Sequence, residues 1–352
     1  MDIISIGKCY YPLSSSLRLK DLMSASSLPP FGGRQSFVEK VTWHRPLLWV
    51  AIAMAVLAIV SVIGLLVDPR TVMGAPSWAK PLKFSISFGL YTLTLAWLIG
   101  MLQSFTRVAW WAGTVAGVFL MVEIAIIVGA VVAGGTSHFN FTAPFNAALY
   151  QLMGVSIVIA WTAALPVIIV LFRTDLGDAA RTVAIRAGFV IGLIGMGLAV
   201  LMTLPTPDQT LNYQGVIGAH TVGVPDGGPG LPLLGWSTVA GDVRVPHFVG
   251  MHALQLIPLA AIMLELFAAR VPALRRARVR RNVIWIVVIL FVGTLAVLTF
   301  QALGGESFVR PSGIVIAVTA LLYLGAASAI TIVIRRHRST AGLTASAPGV
   351  DA

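Results

Sequence analysis

The segment GDVRVPHFVGMHALQLIP, residues 241–258, gathers Asp242, Arg244, His247, His252 and Gln255 in a chain otherwise dominated by Leu, Val, Ile, Ala and Gly. Histidine ligates metals and moves protons near neutrality, so its spacing is the first question. His247 and His252 are five residues apart, about 140° around a helix. Two ligands for one ion from a single helix need a spacing of three or four, so this is not a two-histidine metal motif. Pro246 suits the first turn of a helix, where its missing N–H costs nothing. Gln255 follows His252 by three and shares its face. Pro258 deprives the Leu254 carbonyl of its helical partner and is expected to kink the helix. His252, Gln255 and that carbonyl define a polar notch.

Glu123 is the other costly residue, about ten residues or ~15 Å below the outer end of an apolar run. A carboxylate at such a depth must be paired, protonated or wetted. The partners expected for it are His252, Lys83 or Lys80, with His138 following the same run. Lys80 and Lys83 are read either as interface anchors or, with Arg244 and Arg310, as an anion-attracting outer rim. Asp242 stands two residues from Arg244, so a local salt bridge is expected.

Composition identifies what must position these groups. The chain is 57% hydrophobic and 11% charged, with a mean hydropathy of +0.91. That places it among polytopic membrane proteins. Apolar runs long enough to cross a bilayer fall at 47–67, 84–103, 108–133, 146–172, 183–204, 247–268, 283–303 and 312–334. In lipid each must be helical, because no water is present to satisfy the backbone. The expected class is therefore all-α, an eight-span integral protein of the cell membrane. With both termini cytoplasmic, nineteen of the 24 basic residues fall on inner segments and Arg70, Lys80, Lys83, Arg244 and Arg310 on outer ones. The net charge of +11 thus reads as topology and contact with the lipid bilayer, not as a nucleic-acid footprint. The lone Cys9 excludes an intrachain disulfide or a CxxC pair.

Residues 1–45 read as a disordered cytoplasmic arm, with Met23 as an alternative start, and 336–352 as a disordered tail. The Gly- and Pro-rich segment 205–246 reads as an ordered outer segment, either a lid over an outward-facing cavity or a passive extracellular loop. A faint repeat joins AGGTSHF to LGGESF, and KPLKF to VPHF, suggesting two four-helix halves. Gly113 and Gly117, and Gly188 and Gly192, have the spacing of close helix contacts.

Three functions follow from these residues. The first is a membrane enzyme or redox component binding haem or a divalent metal near the outer face through His138, His247, His252 and Glu123. The second is a secondary transporter in which Glu123 and His252 bind a small-molecule ligand or protons from the outer side. The third is a non-catalytic scaffold. The plan of eight spans in two halves is similar to that of the haem A synthase family. That family's Glu-x-x-His-Arg signature is absent here, so no residue roles are carried over. The HxxxH pair of ceramidase-type zinc hydrolases is absent as well.

The orientation is directly testable in a Cys9→Ser background. A cysteine at Pro229 is expected to react with a membrane-impermeant maleimide on intact cells, and one at Arg276 only after permeabilisation. The opposite pattern would invert the topology.

Overall fold

The computed structural model describes residues 42–343, with side chains to Arg336. Met23 and most of the expected N-terminal arm and C-terminal tail lie outside the described residues. The chain order is α1 (Arg45–Val67), β1 (Thr71–Val72), β2 (Ala75–Pro76), α2 (Ala79–Gly100), α3 (Thr106–Val132), α4 (Pro144–Arg173), α5 (Ala179–Gly197), α6 (Val200–Thr203) and α7 (Pro207–Leu211). It continues through β3 (Thr221–Val222), β4 (Gly241–Asp242), α8 (Arg244–Met251), α9 (Ala253–Phe267), a 3-10 turn (Pro272–Arg275), α10 (Ala277–Leu303) and α11 (Gly313–Leu343). The protein is all-α apart from two short hairpins, each an antiparallel pair of two-residue strands. Seven helical stretches are long and apolar enough to cross a membrane, and eight when the bent pair α8–α9 is one span. This is a multi-pass membrane protein. Its outward helix faces carry Trp49, Ile59, Phe172, Leu266, Ile289 and Leu321, apolar side chains that only lipid can cover favourably.

The spans form two groups with one pattern of neighbours. In the first, α1 packs on α2 and α3, α2 on α3, and α3 on α4. In the second, α5 packs on α8, α9 and α10, both α8 and α9 on α10, and α10 on α11. The groups meet where α2 faces α9 and α4 faces α5. The larger apolar core fills the first group and takes in Ile185, Phe189 and Leu193 of α5 with Leu254 of α9. The smaller joins α5, α9 and α10 around Ile257 and Ile284.

Three differences from the sequence reading concern the site. α2 begins at Ala79, not near residue 84, so Lys80 and Lys83 belong to its first turns and are half-buried. The charged residues had depressed the local hydropathy and hidden the start of the helix. α11 runs on to Leu343, past the expected end at 334. The third is the break in the sixth span, a 44° bend at His252 and not at Pro258, which lies inside α9. The reason is packing. Gly188, Gly192 and Gly195 present a smooth face of α5 to the break. A Cβ on Gly195 would stand 2.1 Å from the Gly250 carbonyl carbon, and one on Gly188 would stand 2.8 Å from the Ala253 carbonyl oxygen. Two backbones meet there with no side chain between them.

At the end of the bundle where α5 begins, Arg181 of α5 grips Glu265 of α9 through two hydrogen bonds (2.9 and 2.7 Å). Asp178 caps α5 at Ala180 N–H (2.8 Å) and accepts from Arg280 of α10 (2.7 Å). Gly113 and Gly117 of α3 make room instead for a side chain, that of Leu47 of α1.

Gly195→Ala is expected to lower the thermal midpoint measurably, by overpacking worth about 1–3 kcal/mol or more. Gly129→Ala, with nothing near its added methyl, is expected to leave it unchanged or slightly raised. Equal melting curves for the two variants would refute the role of the α5 glycine face.

Candidate functional site

α3 ends in an αL residue, Gly134, and Gly135 N–H bonds back to Ala130 (2.9 Å), a turn geometry that suits glycine. The chain then folds back over the bundle. This return brings His138, six residues beyond the helix, down to Glu123: His138 Nε2 lies 3.9 Å from Glu123 Oε1. Glu123 is buried, and its Oε2 has no hydrogen-bond partner among the described residues. The same is true of the hydroxyl of Tyr150, from α4, whose ring stands 6.0 Å from that of His138.

Lys80, from the first turn of α2, completes the group, with Nζ 3.0 Å from His138 Nδ1. An ammonium has only donors, so a charged Lys80 makes Nδ1 the acceptor and places the imidazole proton on Nε2, facing Glu123. Burial holds His138 well below the ordinary histidine range, and the charges of Lys80 and His220 act in the same direction. The imidazole is therefore neutral at neutral pH, as this tautomer requires. Lys80, His138 and Glu123 form one array running from the start of α2 into the bundle.

The segment after α6 covers this array. It is tied to the returning loop by Phe141 N–H to Gly215 O (2.8 Å) and Ile217 N–H to Phe139 O (3.2 Å). It is tied to the second group where Ser307 Oγ–H donates to Ser237 O (3.3 Å), and Gly241 packs so closely on Ala302 that no Cβ would fit. Inside this cap Asp226 accepts from both backbone N–H groups of His220 and Thr221, from the Thr221 hydroxyl (2.7 Å), and from His220 Nδ1 (2.6 Å). These donors hold Asp226 below the usual carboxylate range against its burial, and burial keeps His220 below the ordinary histidine range. The pair is a carboxylate orienting a neutral imidazole. Phe139 stacks on the other side of that ring at 4.8 Å.

Lys83 and Arg244 lie beside this group. Lys83 Nζ donates to Leu234 O (2.8 Å). Arg244 holds the buried Asp242 through Nε (2.9 Å) and Nη2 (2.6 Å), and Nη2 also reaches Gly235 O (2.6 Å). The local Asp242–Arg244 pair is as expected from the sequence. Arg310 is exposed.

The two histidines of α8 and the break go elsewhere. His247 Nδ1 bonds to Gly195 O of α5 (2.8 Å). His252 meets Ser87 of α2 through Nε2 (3.5 Å) and Gln255 through Nδ1 (3.2 Å), and Gln255 reaches Thr94 (3.3 Å). The polar notch thus sits against α2. The expected pairing of His252 or Lys83 with Glu123 is not what the side chains make; His138 and Lys80 take that place. Sequence reasoning missed Tyr150, Asp226, Ser87 and Thr94. All four owe their positions to tertiary folding and carry no spacing signal.

Among the described residues no three His, Cys, Asp or Glu side chains come together to hold a metal ion. The divalent-metal expectation therefore finds no three-ligand set among the described residues. Comparison with known proteins adds no constraint: no family model, no curated protein and no solved structure matches the chain.

Asp226 offers a test of the cap. A carboxylate with a depressed folded pKa adds stability that is fully present above its unfolded value, near 4, and is lost as pH falls through the folded one. Asp226→Asn is expected to lower the melting temperature at pH 7, by roughly 1.5–3 kcal/mol of lost charge-assisted bonding. The deficit should persist through mildly acidic pH and shrink only in strong acid. An unchanged melting temperature at pH 7 would show that the cap does not rest on this residue.

Proposed function

We propose that this protein is a proton-exchanging secondary transporter, with Glu123 as the proton site and His138 and Lys80 as its connection to the outer side. The observation that carries the reading is the buried Glu123 carboxylate, with one oxygen unpartnered and the other facing His138. A carboxyl that only packed would be expected to satisfy both oxygens with hydrogen bonds. An intramembrane carboxylate beside an imidazole and an amine is instead the material of a proton relay.

The steps use only this chain's own groups. A proton reaching His138 Nδ1 makes an imidazolium, which gives its Nε2 proton to Glu123 when the two close from 3.9 Å to hydrogen-bond distance. The imidazole is left neutral, with its remaining proton on Nδ1. Lys80 supplies the opposing charge that makes ionised Glu123 tolerable in the bundle. The paired groups of spans meeting at α2 and α9 supply two bodies that can move against each other. The divalent-metal reading finds no three-ligand set among the described residues, and the scaffold reading leaves the array unexplained.

Infrared difference spectroscopy of the purified protein tests this without knowledge of a substrate. A protonated-carboxyl band is expected to appear on acidification from about pH 9 to about pH 5, to vanish in Glu123→Gln, and to shift its midpoint in Lys80→Gln. A band that is constant across that range, or unaffected by Glu123→Gln, would remove Glu123 as an exchanging site.

A further inference from the structure

Beside the proton array, two cations from two helices converge under one turn of the cap, with a third close by. Lys80 and Lys83 stand on the first turns of α2 and Arg244 at the start of α8; Lys80 feels the charge of Lys83 and Arg244, and Lys83 that of Arg244. Lys83 donates to Leu234 O and Arg244 to Gly235 O, so adjacent carbonyls of the turn 231–236 anchor the two heads. The position between them is a glycine. A Cβ on Gly235 would stand 3.7 Å from Arg244 Nη1 and 4.0 Å from Lys83 Nζ, ordinary contact distances, so both cationic heads border the same small space. The turn is closed by Leu231 N–H to Trp236 O and Gly235 N–H to Leu231 O (both 2.8 Å), and Trp236 packs edge-on against Phe248 and Phe308.

The charges do not balance. Asp242 neutralises Arg244, accepting also from Ser237 N–H (2.8 Å). Asp226 is committed to His220 and Thr221. Glu123 answers Lys80, and Lys83 has only a carbonyl. A positive excess gathered in a partly desolvated place is costly unless an anion joins it. Planar carboxylates and phosphates are what an arginine fork and a lysine bind in common.

We propose that Lys83, Arg244 and Lys80 form the binding site for a soluble small anion, a carboxylate or phosphate, entering from the outer side beneath the turn 231–236. The site faces the cap and not the lipid, which favours a soluble anion over a lipid headgroup. This inference rests on the transporter reading and names its substrate class. The two sites share Lys80, so they are linked. Protonation of Glu123 removes the negative charge beside Lys80, and the anion then meets a more positive site, which couples proton and anion without direct contact. The groups facing Glu123 are Lys80, His138 and Tyr150, and those facing the cations are Asp242 and His220, the latter with its partner Asp226. The histidines and the two lysines themselves also gain charge on acidification, so the Glu123 variant is needed to separate their contribution.

The test is calorimetric titration of the full chain in phosphatidylcholine nanodiscs with succinate and, separately, inorganic phosphate. Saturable binding of at least one is expected, weakened about tenfold or more in Lys83→Gln and recovered in Lys83→Arg. Lys83→Gln is the chosen variant because it leaves the buried Asp242 paired. Affinity is expected to rise severalfold from about pH 8 to about pH 6 in the parent, and much less in Glu123→Gln. No saturable binding of either anion, binding indifferent to Lys83→Gln, or stabilisation only by phosphatidylglycerol nanodiscs would overturn the site. Lys83-dependent binding with an equal pH slope in Glu123→Gln would keep the anion site and remove its coupling to Glu123. A missing anion site with an intact Glu123 infrared band would fail this inference alone.

Discussion

Hydrocarbon solvates neither charges nor unpaired backbone, and the placement of nearly every polar group in this bundle answers to that constraint. Where α5 begins it produces short ion pairs, Arg181 with Glu265 and Arg280 with Asp178, that join α5 to its neighbours. Where α2 and α8 begin, the same constraint is met differently. Charges enter the bundle, and a folded cap supplies carbonyls, a carboxylate and a returning histidine to receive them. One end resembles a seal and the other a socket.

The two groups of spans share their pattern of neighbours without sharing their chemistry. Gly134 and Gly305 are both αL residues after the third helix of their group, each followed by an N–H that reaches back five residues. Matching them places Thr294 where the first group has Glu123. Thr294 donates its hydroxyl to Leu290 O, one turn away, and also meets the Tyr323 hydroxyl of α11 (3.4 Å), with no ionisable partner. The second span of each group differs as well. α2 is unbroken and carries lysines at its N-terminal end, whereas α8–α9 breaks at His252 where α5 approaches. Such a division leaves the mid-helix carboxylate to the first group and the close-packed backbone to the second.

What could be read from the sequence was whatever depends on local runs and short spacings. Apolar stretches of about 20 residues marked the spans because the bilayer imposes their length. Gly188 and Gly192 marked a packing face, and Asp242 and Arg244 their own salt bridge, because each signal lies within a few residues. The αL turn at Gly134 was not legible as such, yet it starts the return that brings His138 to Glu123. The bend was assigned to Pro258 by a local rule and falls at His252, next to the close approach of Gly195 on another helix, which no local rule can see. Asp226, Ser87 and Tyr150 are ordinary residues until the fold places a histidine beside them.

The turn 231–236 has a mechanical meaning apart from its electrostatics. Leu234 O is held from α2, in the first group, and Gly235 O from α8, in the second. Two adjacent peptide units therefore form a strap whose ends belong to different bodies. If the groups rock apart at the outer face, one of these two bonds must break or the turn must change shape. A displacement of the whole bundle is thus concentrated into a single peptide linkage, which makes this turn the natural strain gauge of the protein.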